Sequence, residues 1–97
     1  MRIINLEYLF ESLKRHASAR QQLEAWYDRA RNEAWGTPAK LKKLHGRASL
    51  VGKNCAAFRI MGNRYRVVVE IDYNRKLVDI RFIGSHSDYD RIDVQEV

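Results

Sequence analysis

Residues 56–90, AAFRIMGNRYRVVVEIDYNRKLVDIRFIGSHSDYD, decide the fold. They read as three short strands joined by two tight turns, followed by a polar run that holds His86 and Tyr89. Gly62-Asn63 is a two-residue hairpin signal, and Asn74-Arg75 serves the second turn. In that register Phe58 faces Val67, Arg59 faces Arg66 and Ile60 faces Tyr65. Across the second hairpin Ile71 faces Val78, Val69 faces Ile80, Val68 faces Arg81, Val67 faces Phe82 and Arg66 faces Ile83. Period two then sorts the side chains. Phe58, Ile60, Tyr65, Val67, Val69, Ile71, Val78, Ile80 and Phe82 form a core face. Arg59, Met61, Arg66, Val68, Glu70, Asp79, Arg81 and Ile83 share the other.

Arg59 and Arg66 are direct cross-strand neighbours in this register, and Arg81 lies diagonal to Arg66. Like charges facing each other on a sheet cost about 0.2–1 kcal/mol. Three arginines on one face therefore point to an anion site, and the alternative is neutralisation by Glu70 and Asp79. Beyond Gly84, His86 and Tyr89 stand three residues apart. That pair suits proton transfer beside a phosphate. The same spacing also fits a helix cap or a buried tyrosine.

The N-terminal half supplies the cover for the core face. Arg2-Ile3-Ile4 reads as a short edge strand and Asn5 as an N-cap. Leu6, Leu9, Phe10 and Leu13 recur at helical spacing, and Lys14, Arg15 and His16 close this helix, with His16 facing solvent. Ser18–Gln21 matches a capping box and opens a second helix with the stripe Leu23, Trp26, Tyr27, Ala30 and Ala34. On that stripe Trp26 reads as core rather than as a base-stacking platform. Gly36 reads as the stop, and Thr37-Pro38 as an N-cap with proline at the first helical position. Residues 39–55 read as one more helical turn and a loop. They carry Lys40, Lys42, Lys43, Arg47 and Lys53, a basic run that is either a solvated face or a phosphate contact.

Length and composition bound the class. Ninety-seven residues make one domain, 1–97, with room for a single core. A net charge of +6 favours a polyanionic partner. The lone cysteine, Cys55, forms no intramolecular disulfide, fits a reducing cytosol and reads as a small core residue rather than a nucleophile. No apolar run approaches the roughly 18 residues of a membrane span, and no signal peptide is evident, so a cytoplasmic protein is expected. His45 and His86 lack His or Cys companions at ligand spacing, so neither a metal nor another cofactor is expected.

The order of helices, then loop, then this strand run resembles the HigB-type toxins of bacterial toxin–antitoxin modules, within the RelE-like superfamily. Two segments carry the likeness: the FxIxGNxYR run from Phe58 to Arg66, and SHxxYD from Ser85 to Asp90. Ser85 stands where threonine is more common. The resemblance implies an α+β fold, two N-terminal helices packed on one face of a small antiparallel sheet. It further implies a metal-free endoribonuclease that cuts mRNA on the ribosome. Arg66, Arg81, His86 and Tyr89 would carry catalysis, and Arg59, Lys53, Lys40 and Lys43 would hold RNA. Tyr89 would either move a proton or stack on a base. The implied partners are a HigA-type antitoxin with a helix-turn-helix domain and, only through the complex, operator DNA. The rival readings are a non-catalytic RNA- or ribosome-binding module and a pure protein-interaction domain.

Overall fold

The computed structural model describes residues 1–94, 96 and 97. In chain order it contains β1 (Arg2–Ile4), α1 (Leu6–Arg15), a 3-10 turn (Ala17–Ala19), α2 (Arg20–Asn32) and α3 (Pro38–Leu44). There follow β2 (Ser49–Val51), β3 (Cys55–Ile60), β4 (Tyr65–Asp72), β5 (Leu77–Ser85) and the single-turn α4 (His86–Tyr89). The sheet order is β1-β5-β4-β3-β2. Its hairpins are antiparallel and β1 alone runs parallel to its neighbour, β5. This is the expected α+β architecture, with the addition of β2. Three residues between two loops give too short an alternation to be seen beforehand.

Helices cover one face of the sheet. Leu9 from α1, Leu23, Trp26 and Ala30 from α2, and Leu41 from α3 are buried against Phe58, Val67, Val69, Ile71, Val78 and Ile80. Trp26 meets Phe58 edge-on at 5.3 Å between ring centroids, and Trp35 tilts onto Phe58 at 5.5 Å. Both tryptophans are therefore core residues. Proline at the start of α3 and Thr37 Oγ1, which accepts from the Lys40 amide at 3.1 Å, act as the sequence implied.

Several local readings are corrected. Phe10 is 51% exposed, and Ser12 is buried in its place on the inward side of α1, with its hydroxyl bonded to the Tyr8 carbonyl. Asn5 adopts a left-handed conformation and makes no cap; its side-chain amide instead donates to the Ile80 carbonyl at 2.6 Å, tying the start of α1 to β5. Ser18 does not cap α2, because its hydroxyl lies 3.1 Å from that of Tyr65. His16 is half-buried rather than solvent-facing, its ring 5.1 Å from Tyr65. Burial is the main influence lowering its pKa, Arg15 adds to it, and Asp88 opposes both. α2 stops at Asn32, short of Gly36, which leaves Ala34 outside the helix and exposed.

What replaces the expected glycine stop is a polar knot. Glu33 is extended, and its carboxylate accepts from His45 Nε2 at 2.6 Å, Trp35 Nε1 at 3.1 Å and Arg29 at 3.2 Å. The Met1 ammonium donates to the carbonyls of Ala30, Arg31 and Glu33, which satisfies the open end of α2. Burial pushes the Glu33 carboxyl up, but the bonds from His45 and Trp35 and the nearby positive charge outweigh it, so its pKa is lowered. A carboxylate held below its ordinary value of 4.5 contributes stability that is fully present above that pH. The contribution is lost as pH falls through the lower folded value. Glu33→Gln is expected to cost about 1–3 kcal/mol at pH 7, the scale of hydrogen bonds to a charged group. It should also flatten the acid limb of the stability profile. Urea titrations of both proteins across pH 3–7 check this, and parallel acid limbs would refute it.

Candidate functional site

The face of the sheet away from the helices is built by three strands. On β3 and β4 the expected register holds: Phe58↔Val67, Arg59↔Arg66 and Ile60↔Tyr65. The connection is longer than foreseen, running from Met61 to Arg64, with Met61 and Gly62 both left-handed. The register survives because both additions lie within the loop.

On β5 the register breaks. Val69 pairs with Ile80, but Val68 pairs with Phe82, Val67 with Ile83 and Arg66 with Gly84. Two residues of β5 oppose one of β4, so Arg81 is the extra residue of a bulge. Consequently Ile83 turns into the core, 4% exposed, and Phe82 comes to the open face, the reverse of the strict alternation. Arg81 also stays on the open face, since its Nη1 bonds the Asp79 carboxylate at 3.2 Å and Asp79 pairs with Glu70. The Phe82 ring lies over Gly84, where an added Cβ would stand 2.6 Å from Phe82 Cζ. Gly84 thus leaves room for the ring that the bulge brings to this face, and any side chain there would have to push Phe82 aside.

Arg59, Arg66 and Arg81 share the open face, but their guanidinium groups do not converge. Arg66 is 6% exposed. It donates to the Asn63 carbonyl at 3.1 Å, the Asn63 side-chain oxygen at 2.6 Å and the Tyr65 carbonyl at 3.2 Å. Its Cζ lies 5.4 Å from the centre of the Tyr89 ring. Arg81 is exposed and reaches the other way. Besides Asp79 it holds the main-chain oxygen of Val97 through Nε at 2.9 Å and Nη2 at 2.6 Å. Arg59 is exposed, with no hydrogen-bond or ion-pair partner among the described residues.

His86 and Tyr89 sit on α4, which follows β5 directly. Ser85 caps it by accepting from the Asp88 amide at 3.1 Å, and the His86 amide donates to the Arg64 carbonyl at 2.7 Å. Those two bonds fix α4 at the Arg66 end of the sheet. His86 is exposed, with Nε2 3.5 Å from the Asp90 carboxylate, an orienting partner one helical turn on. The i+4 spacing of Asp90 from His86 is the sequence signal that could have found this partner. Asp79, read from the sequence as a neutralising carboxylate of this face, does pair with Arg81, whereas Asn63, which sets Arg66, has no comparable signal.

The lysines divide. Lys53 lies in the β2–β3 turn, at the end of the open face opposite His86 and Tyr89. Lys40 and Lys43 lie on α3, whose Leu41 is buried behind the sheet, so the structure does not gather them with the arginines. Cys55 faces Glu70 across β3–β4; burial and then Glu70 raise its thiol pKa, against the pull of Arg81. Among the described residues, no three His, Cys, Asp or Glu side chains gather where a metal could bind. Nor is any helix among them long and apolar enough to cross a membrane.

Among curated proteins, none matches the chain. Residues 19–92 match the family model HigB_toxin, the RelE-like toxic component of a toxin-antitoxin system. That span includes α2, α3, the β2–β5 sheet and all of α4, so it contains every element of the open face. The chain therefore belongs to the HigB toxin family of toxin–antitoxin systems.

Proposed function

We propose that the open face is the active site of a ribosome-dependent mRNA endoribonuclease. Family membership makes the chain a toxin with an antitoxin partner, and a RelE-like toxin suggests endoribonuclease activity in general. The observation that supports the finer reading is the seating of α4. It puts His86 and the Tyr89 ring at one end of an arginine-lined face, with Tyr89 against Arg66.

In this reading one of His86 and Tyr89 takes the proton of a ribose 2′-OH, and the oxygen attacks the adjacent phosphorus. The bond to the 5′-oxygen breaks, a 2′,3′-cyclic phosphate forms, and the leaving oxygen receives a proton. No step draws on a metal. Charge gathers on the phosphoryl oxygens, and the exposed Arg81 meets it once its Nε and Nη2 donors release the Val97 oxygen and turn to the phosphate. Arg66 seats Tyr89 and adds positive potential from behind it. Arg59, and Lys53 at the far end, track the RNA backbone. The antitoxin is of the HigA type with a helix-turn-helix domain, operator DNA is contacted only through the complex, and the setting is the cytoplasm.

The test is to add purified protein to translating ribosomes and map new mRNA ends. Cuts within A-site codons are expected; their absence from active ribosomes would refute the reading. Tyr89→Phe keeps the ring on Arg66 and removes the hydroxyl. We expect it to retain ribosome binding and to lose about 100-fold in cleavage rate, the low side of what a positioned proton-transfer group supplies. Full activity in that variant would restrict Tyr89 to stacking.

Binding without cleavage is the second reading, favoured by one observation: Arg66 and Arg81 already have their donors engaged within the chain. Ribosome association with no new mRNA ends would select it. Either reading predicts that single-stranded RNA affinity falls with salt. Three phosphate contacts give a slope of log K against log salt of about −2. A flat salt profile in filter binding would instead favour a pure protein-interaction domain.

A further inference from the structure

A second recess lies behind the sheet, away from the open face. It has a volume of about 360 Å³ and is walled by α2, the segment after α3, and β3. Trp26, Phe58 and Ile60 form an apolar floor, while Leu44, Arg47 and Arg59 stand around it. Two of the large apolar side chains that the fold leaves in water belong to this region. Leu44 is 38% exposed on the rim, and Leu50 is 43% exposed two residues beyond Ala48, which lines the recess. Leu50 pairs with Ala56, a core-face residue, so it projects to the helix side of the sheet, outside the buried core.

Two of the polar groups that line the recess are unpaired cations. Arg47 and Arg59 have no hydrogen-bond or ion-pair partner among the described residues, and no carboxylate lines the recess. Trp26 is 4% exposed, and its indole nitrogen is buried with no hydrogen-bond partner among the described residues. Trp35 Nε1, by contrast, is bound to Glu33.

We propose that this recess is where the antitoxin docks, through a segment with an apolar anchor flanked by carboxylates. An apolar side chain fills the space over Trp26 and Phe58 between Leu44 and Leu50. The adjoining acid groups meet Arg47 and Arg59. Apolar anchors within a rim of arginine are what a protein interface provides. An RNA strand would leave Leu44 and Leu50 uncovered. The recess touches the open face only at Arg59, so the docked segment borders the RNA path without filling the catalytic end at His86 and Tyr89. This rests on the antitoxin that family membership implies and is independent of the cleavage chemistry.

Leu44→Asp and Arg47→Glu test it; both residues are exposed, and circular dichroism checks the fold. Each is expected to weaken the complex with the purified cognate antitoxin at least tenfold. In ¹⁵N spectra the Trp26 indole resonance should shift on complex formation while that of Trp35 holds. Affinities within twofold of wild type, with Trp26 unmoved, would overturn the proposal. So would variants that weaken RNA association at unchanged antitoxin affinity, which would give the recess to nucleic acid. A free chain that sediments as a dimer, and as a monomer with Leu44→Asp, would give it to a second copy. Loss of antitoxin binding in variants of a chain that cuts no mRNA would leave this docking surface standing and remove only the cleavage reading.

Discussion

Arg81→Ala and His86→Gln are each expected to lower ribosome-dependent mRNA cleavage by about 10²–10³-fold, the range seen when one preorganised donor or proton-transfer group is removed. Both side chains are exposed, at 38% for Arg81 and 46% for His86, and neither belongs to the core. Stability should therefore change by less than about 0.5 kcal/mol, as for ordinary surface substitutions. That combination separates chemistry from folding: single-turnover cleavage collapses while the urea midpoint stays put. Arg81→Lys discriminates further. The bulge aims a planar fork whose Nε and Nη2 donate together to one oxygen, and an ammonium cannot reproduce two parallel donors. Lysine should restore RNA affinity, which depends on charge, and leave most of the rate deficit. Equal recovery of both would mean that Arg81 acts as a point charge and that the bulge has no catalytic consequence. Wild-type cleavage by both the Arg81→Ala and the His86→Gln variants would remove these residues from the mechanism.

The layered α+β plan was legible because it depends on periodicity. Leu23, Trp26 and Ala30 repeat at helical spacing, and Phe58, Ile60, Val67, Val69 and Ile71 alternate cleanly; all are buried in the core. The Arg59–Arg66 pairing was legible for a related reason, since loop residues added on both sides of Gly62-Asn63 leave the strands in register. The second hairpin was not. Alternation carries no mark of a bulge, and VDIRFIGS reads as well without one. One inserted residue exchanged Phe82 for Ile83 on the open face and moved Arg81 off its expected partner Val68. The signal that could have been weighed is Gly84. A glycine inside a strand suggests a bulge or a close approach, and here a ring lies across it. The direction of each guanidinium was beyond reach, because it is set by Asn63 from a turn and by Val97 from sixteen residues downstream. Capping was read too simply. Ser18 and Asn5 are good cap residues by type, but each finds a tertiary partner, Tyr65 or Ile80, instead of its own helix.

Arg66→Ala should behave quite differently from Arg81→Ala, although the two arginines were indistinguishable in the sequence. Arg66 is nearly buried and makes three hydrogen bonds, two of them to Asn63 in the β3–β4 loop. Its removal strands the Asn63 side-chain oxygen and withdraws the cation from the face of Tyr89. Loss of bonds to a charged donor predicts a destabilisation of about 2–3 kcal/mol, visible as a lower urea midpoint at unchanged slope. Cleavage should fall as well, chiefly because Tyr89 and α4 lose their seat rather than because a phosphate contact is gone. Arg66→Lys can keep a cation near the ring but cannot span both Asn63 oxygens. It should recover less than half of the lost stability, and its rate should follow the ordering of α4 rather than the charge. The diagnostic measurement is hydrogen exchange at the His86 amide, which donates to the Arg64 carbonyl. Faster exchange there in Arg66→Ala, and wild-type exchange in Arg81→Ala, would assign Arg66 to holding the catalytic turn and Arg81 to the reacting phosphate. A fully stable Arg66→Ala variant with slow exchange at His86 and no activity would reverse the assignment and place the Arg66 guanidinium on the substrate itself.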